Sequence, residues 1–306
     1  MENYEIIRIS EIDKNKFINS WEMAFSRKLD SSIYRWIFNN KNIIYALTFN
    51  GVITAGYCLY PLSCILHGKR SIALLCNNVF VNPDFKGRRL FEKIGQLALQ
   101  DAGINELGSI AYGVPNPFAL PGHKRVGWSV QNSIPFLEKE SCKENNKKAN
   151  WLLTLTEGER RGIARCSEAS AINRNFSIIK TEEFLTWRFE NKPGNKYWYG
   201  IKRKGSEVVA YAVCKYYAQS GVLHFVDIDG VDSQAVTELI EEAFQIPEDF
   251  CRVNIWESTA HKQQFIDAGF IESDEKNEFI LITPKSLSKI NIESDFNFVL
   301  ADNDVY

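Results

Sequence analysis

Lys86, Gly87, Arg88 and Arg89 stand between an apolar run, Val79-Phe80-Val81, and a segment in which Leu90, Phe91, Ile94, Leu97 and Ala98 recur at helical spacing. The run reads as a strand that stops at Pro83, and the periodic segment reads as a helix with one apolar face. A strand feeding a helix through such a loop gathers unpaired backbone N–H groups and the positive end of the helix dipole at one spot. Lys86, Arg88 and Arg89 add full charges there. Phosphate is the natural guest. Val79 to Val81 and Lys86 to Phe91 are therefore candidate cofactor-binding residues.

A second segment has its own fixed spacing. Asn116, Ala119, His123, Gly127 and Trp128 follow an apolar strand-like stretch, Ser109-Ile110-Ala111-Tyr112-Gly113-Val114. Together the two segments resemble the acyl-CoA-binding core of the GNAT superfamily of N-acyltransferases. In that family a loop of the form Arg/Gln-x-x-Gly-x-Gly/Ala cradles the CoA pyrophosphate, and a later helix carries Asn-x-x-Ala/Ser-x-x-x-Tyr-x-x-x-Gly-Phe. The helix segment here matches at Asn116, Ala119 and Gly127, with Trp128 for the aromatic and His123 where the family has Tyr. In the loop Lys86 and Gly87 fit, while Arg89 and Phe91 replace the two later glycines, which trades close backbone approach for a charged donor at Arg89. The resemblance implies acetyl-CoA or another short acyl-CoA as co-substrate, with no metal.

Acyl transfer needs a held thioester carbonyl, a neutral amine and support for the departing thiolate. In a GNAT-like fold the strand before the loop diverges from its neighbour and frees N–H groups for the thioester oxygen, which places those donors near Val79 to Val81. His123 occupies the position of the family's general acid, and imidazole suits that task near neutral pH; the alternative is a plain helix-surface histidine. Where the family carries a carboxylate base, this chain has Asn77 and Asn78, which orient water or the amine but accept no proton. Asp227, alone in the apolar run Val222-Leu-His-Phe-Val-Asp-Ile, is a candidate base or else a turn-forming residue. Asp302 and Asp304 are either cleft acids or solvated terminal ones. His123, Asn78 and Asp227 are thus the catalytic candidates, and Asn77, Tyr112 and Arg188 the substrate-binding ones, with Arg188 placed to meet a diphosphate and Trp187, Tyr197, Trp198 and Tyr199 either stacking a base or filling a core.

The elements that position these residues occur twice. Tyr34-Arg35-Trp36-Ile37-Phe38 is echoed by Leu185-Thr186-Trp187-Arg188-Phe189, and each precedes a hairpin pattern. The first turns at Asn50-Gly51, between Ile43–Phe49 and Val52–Cys58; the second turns near Lys204-Gly205, between Tyr197–Ile201 and Val208–Cys214. Gly127-Trp128 and Gly269-Phe270 each close a helix pattern. The expected fold is α/β: two tandem GNAT-like domains, residues 1–138 and 151–306, each a twisted mixed sheet flanked by helices, joined by a charged, aperiodic linker at 139–150. The copies differ in chemistry. Where the first has a basic loop, the second has Asp227, Asp229 and Asp232 before a helix that Asp232 or Ser233 caps, and acids there repel pyrophosphate. One CoA per chain, in the first half, is the expectation, with the degenerate half contributing to the acceptor site.

Composition narrows the partners. The net charge of −2 argues against nucleic acid, which needs a clustered basic face. Seven cysteines form no CxxC pair, several sit in apolar runs, and His67, His224 and His261 share no metal-like spacing, so buried thiols in a reducing compartment are expected. No apolar run approaches membrane-spanning length, and Met1 is followed by acidic and polar residues, so the expected location is the cytoplasm, as monomer or homodimer. Tandem chains with one CoA-binding half resemble the sugar N-acyltransferases of bacterial polysaccharide pathways. That resemblance implies a nucleotide-linked amino-deoxysugar acceptor, such as a dTDP sugar. A peptide or aminoacyl transferase and a non-catalytic acyl-CoA sensor are the alternatives.

Overall fold

The computed structural model describes residues 4–8, 14–38, 41–103, 110–141, 150–282 and 296–303. Strand β1 (Glu5–Arg8) leads to helices α1 (Lys14–Phe25) and α2 (Ser31–Ile37), then to strands β2 (Ile43–Phe49), β3 (Val52–Leu66) and β4 (Lys69–Val81). Next come α3 (Leu90–Asp101), β5 (Ile110–Gly113), α4 (Leu120–Val126) and β6 (Ser129–Glu140). The second half runs through α5 (Glu157–Ala171), β7 (Phe176–Ile178), α6 (Glu182–Leu185), β8 (Trp198–Lys204), β9 (Glu207–Tyr217) and β10 (Val222–Gly230). It ends with α7 (Ser233–Glu242), β11 (Arg252–Trp256), α8 (Lys262–Asp267), β12 (Ile271–Ile282) and β13 (Phe296–Asn297). This is a mixed α/β fold in which helices flank twisted mixed sheet, as the alternation of patterns leads one to expect. The charged stretch 142–149, most of the expected linker, lies outside the described residues, as does Asp304.

The chain divides into two compact units. The first comprises Met1–Leu62, Ile72–Asn132 and Glu278–Lys289. In it β1 pairs antiparallel with β2, and β2 with β3. Asn50 and Gly51 turn the β2–β3 hairpin with φ of 50° and 75°, the mirror-image geometry that matches strand twist and that Asn-Gly adopts readily. β4 pairs parallel with β5 through the α3 crossover, and residues Ile280–Ile282 of β12 pair antiparallel with β5. The apolar face of α3 (Leu90, Ile94, Ala98, Leu99) packs on Tyr45, Leu47, Tyr57 and Leu74 from the strands. Each buried Leu or Ile among them contributes about 1.5–3 kcal/mol by leaving water.

The second unit comprises Ser63–Ser71, Ser133–Asn277 and Ile290–Tyr306. From β8 to β12 the chain repeats the order of strands and α-helices seen from β2 to β6. β8, β9 and β10 are antiparallel neighbours, and β10 pairs parallel with β11 across the α7 crossover. β6 pairs antiparallel with β11. β7 pairs with residues Cys64–Leu66 at the tip of the β3–β4 hairpin, which turns at His67 and Gly68. Each unit is thus finished by a strand from the other half of the sequence: β6 follows α4 but ends beside β11, and β12 follows α8 but ends beside β5.

The second unit encloses polar groups as well as its apolar core. Arg174 donates two hydrogen bonds of 2.7 Å to the Asp229 carboxylate, which His261 Nε2 also meets at 3.1 Å. Lys180 and Asp302 form a buried ion pair. Trp187, Tyr197, Trp198 and Tyr199 are all buried, so these aromatics are packing groups and not a stacking surface. Among the described residues, no helix is long and apolar enough to cross a membrane.

Candidate acyl-CoA site in the first unit

Parallel pairing between β4 and β5 covers only Ala73–Leu75 against Ile110–Tyr112. From Cys76 onward β4 continues to Val81 without a ladder partner on the β5 side among the described residues. Three residues beyond the last pair stands Asn78, whose φ of +47° is left-handed, a conformation rare within a strand. Asn tolerates it better than most residues because its short polar side chain bonds locally. The β5-facing edge of β4 from Cys76 to Val81 is therefore open among the described residues, while its other edge runs beside β3. Phe80 is buried against Gly56, where a Cβ would come within 2.2 Å of its ring, and against Phe17 at 5.4 Å. That packing holds the parted segment in place.

Beyond the strand, a short 3-10 turn (Pro83–Phe85) delivers the loop Lys86–Arg89 to α3. Arg89 is the N-cap of α3, with φ of +56°, and its side chain makes no capping bond. The first N–H groups of this 12-residue helix are consequently left for a ligand. Gly87, at φ +80°, takes a conformation that a side chain would strain, and a Cβ there would meet nothing. Lys86, Arg88 and Arg89 are exposed. Arg88 lies over the Phe85 ring at 5.2 Å, and Arg89 forks onto Glu92 at 2.9–3.1 Å. The second unit differs at the matching place. Asp232 caps α7 by accepting from the N–H groups of Gln234 (3.0 Å) and Ala235 (3.3 Å), and pairs with Lys204. One helix start is open and basic; the other is already filled by its own carboxylate.

The second motif closes the same side of the unit. Asn116 Oδ1 accepts the Ala119 N–H at 2.9 Å, which starts α4, and Gly127 ends it at φ +114°. His123 points inward. It is 4% exposed and ringed by Phe91 (4.9 Å), Trp128 (5.5 Å) and Tyr57 (6.3 Å). Burial pulls its pKa from 6.5 down to about 4, and its Nδ1 has no hydrogen-bond partner among the described residues. The imidazole is neutral at neutral pH, which makes it a hydrogen-bond donor or acceptor and not a store of a proton. Tyr57, a residue no motif signalled, accepts a hydrogen bond of 3.0 Å from Trp128 Nε1 and completes this cage.

Other candidates are placed differently. Asn77 is buried with its Oδ1 unpartnered, and Asn78 accepts a hydrogen bond from Trp21 Nε1. Trp21 went unnoticed in the sequence because it lies 57 residues from its partner. Tyr112 is wholly buried, its ring 6.3 Å from that of Phe279. Arg188 lies in the interior of the second unit, donating to the carbonyls of Ala301 (2.9 Å) and Asn303 (2.7 Å). It anchors a chain segment and presents no charge to a diphosphate. Asp227 is also wholly buried there, 3.4 Å from the Tyr211 hydroxyl, and burial lifts its pKa to about 7. Desolvation, not an active-site role, accounts for its unusual acidity. Asp302 is the partner of Lys180 and faces no cleft.

No protein-family model and no curated protein matches the sequence. Solved structures do. A GCN5-related N-acetyltransferase from Anabaena variabilis superposes with a TM-score of 0.71 at 12% identity, covering 91% of this chain and 72% of that one. A probable N-acyltransferase from Enterococcus faecalis gives 0.65 at 11%, covering 82% of this chain and 65% of that one. Saccharomyces cerevisiae N-myristoyltransferase, solved with myristoyl-CoA, gives 0.60 at 10%, covering 100% of this chain and 90% of that one. At such identities the likeness establishes a shared fold, that of GCN5-related N-acyltransferases.

Proposed function

We propose that the chain is an N-acyltransferase that takes its acyl group from acyl-CoA, bound in the first unit. One observation carries the reading: β4 parts from β5 immediately before an uncapped, basic helix start. The pyrophosphate sits on the α3 N-terminus with Lys86 and Arg88, and the pantetheine arm follows the open edge of β4 towards Val79. The backbone N–H groups of Val79 to Val81 bind the thioester oxygen. A neutral amine attacks the carbonyl carbon; the C–N bond forms, the C–S bond breaks, and CoA leaves as thiolate. The proton shed by the new ammonium centre reaches the thiolate directly or through water. His123 supports that step as a neutral hydrogen-bond donor, in keeping with its burial.

The acceptor in this reading is a nucleotide-linked amino-deoxysugar, such as a dTDP sugar. What supports it is the resemblance to tandem sugar acyltransferases, together with a second unit whose own helix start is filled and so is free of a CoA duty. A thiol-release screen with several acyl-CoA donors against nucleotide amino-sugars, free amino-sugars and lysine peptides tests both levels. Turnover only with nucleotide-linked sugars supports the whole proposal. Turnover with peptides alone retires the sugar and leaves the acyl transfer. Absence of release with every acceptor retires the enzyme.

A further inference from the structure

Asn78 is held in a way its neighbours are not. Its φ of +47° lies three residues beyond Leu75, the last residue of β4 paired with β5, and among the described residues its side-chain amide is bound at one end only. Trp21 Nε1, from the buried face of α1, donates to Asn78 Oδ1 at 3.2 Å. An indole N–H can only donate, so this bond sets which way the amide is turned: oxygen towards Trp21, nitrogen away from it. The amide nitrogen, Nδ2, is buried and has no acceptor among the described residues. A buried amide N–H without a partner is destabilising, so a site that keeps one has a use for it or a ligand that satisfies it. Trp21 is itself fixed: it is 1% exposed, packed against the tilted ring of Phe25 at 4.6 Å, and covered by the Arg27 guanidinium at 4.9 Å. Next along the strand, Asn77 keeps a buried Oδ1 that is equally without a donor.

We infer that Trp21 is a positioning residue that locks the Asn78 amide so that its NH2 group donates to the carbonyl oxygen of the bound thioester. The inference rests on the acyl-CoA reading above and extends it with a side-chain donor at the oxyanion position and a reason for its orientation. Asn77 Oδ1 is the matching acceptor for an N–H of the attacking amine. The pair suits a neutral carbonyl and a neutral amine, the two groups that must meet.

The test reads the carbonyl directly, in full-length protein, with acetyl-CoA carrying a 13C-labelled carbonyl and no acceptor present. Isotope-edited infrared spectroscopy should show the thioester band shifted to lower frequency on binding. Asn78→Asp keeps the acceptor for Trp21 and loses the NH2, so the shift should disappear although the bond from Trp21 survives. Trp21→Phe should broaden and reduce it. In turnover, Asn78→Asp and Asn78→Ala should each lower kcat by about 100- to 1000-fold, the range for a lost oxyanion donor. Trp21→Phe should lower kcat by roughly tenfold with KM for acetyl-CoA unchanged, and should have no further effect in the Asn78→Ala background, because its effect passes through that amide. If acetyl-CoA binds and turns over but the band is indifferent to Asn78→Asp, the inference is overturned and the enzyme reading stands. An equal loss from Trp21→Phe with and without Asn78 would also overturn it, since that marks a structural role. If acetyl-CoA does not bind, both fall.

Discussion

Replacing Asp227 by Asn should stabilise the protein, and by an amount that grows with pH. The carboxyl is wholly buried in β10, with one oxygen 3.4 Å from the Tyr211 hydroxyl and the other without a partner. Desolvation dominates and raises its pKa from 3.8 to about 7; Lys180 opposes the rise, while Asp302 and Asp229 add to it. The folded state therefore prefers the neutral acid. For a group raised in this way, the stabilisation is complete below the unfolded value and is lost as pH climbs through the folded one. Three pKa units at about 1.36 kcal/mol each amount to roughly 4 kcal/mol in full. Part of this is already gone by about pH 5, and about 3 kcal/mol is lost between about pH 5 and about pH 8. Asn has the shape of the neutral acid, keeps an acceptor for Tyr211, and never ionises. Denaturant unfolding of both proteins at the two pH values measures the effect, and taking the difference between them cancels the titrating groups not coupled to this carboxyl. The variant's advantage should widen by about 3 kcal/mol from the lower to the higher pH. A difference that is flat with pH, or that narrows, would mean that Lys180 fully compensates the carboxylate and that the burial argument is mistaken.

Four further outcomes follow from the same geometry. His123→Phe should remove a source of acid sensitivity: the depressed folded value makes the wild-type contribution full above 6.5 and lost as pH falls towards about 4, about 3 kcal/mol in all. For the same reason, the pH–rate profile of acyl transfer should show no limb near 6.5 from this residue, and a limb that vanishes in the variant would contradict its burial. Arg89→Gly should raise Tm, because φ of +56° suits glycine, and yet weaken CoA binding by removing a charge; a rise in affinity would show that Arg89 is occupied by Glu92 alone. Asp232→Ala should cost about 1 kcal/mol of stability through its lost cap, leaving CoA affinity untouched if the second unit binds none.

Local chemistry was legible in the sequence, and long-range partnership was not. Asn50-Gly51 announced its hairpin, Gly127 its helix end and Asp232 its cap because each is settled by residues within a few positions. The basic loop was readable for the same reason, down to the odd fit of Arg89 at a position whose φ favours glycine. The exchange of final strands was hidden, since β6 and β12 carry similar strand patterns and periodicity does not name a neighbour. Arg188 looked like a ligand-binding cation because its partners, the carbonyls of Ala301 and Asn303, lie 113 and 115 residues away. His123 was legible by its register in the second motif, and Asp227 as a carboxylate in an apolar run. How deeply each is buried, which decides its protonation, depends on rings and strands brought together by the fold.

The central claim is that a single acyl-CoA is held at the open, basic start of α3 and not at the capped start of α7. Calorimetric titration of the full-length protein with acetyl-CoA tests it most directly, repeated with Lys86→Glu and Arg88→Glu combined. The account predicts one CoA per chain, with binding lost or sharply weakened in the double variant while the fold, followed by circular dichroism, is unchanged. Two molecules per chain, or an affinity indifferent to the two reversed charges, would contradict it.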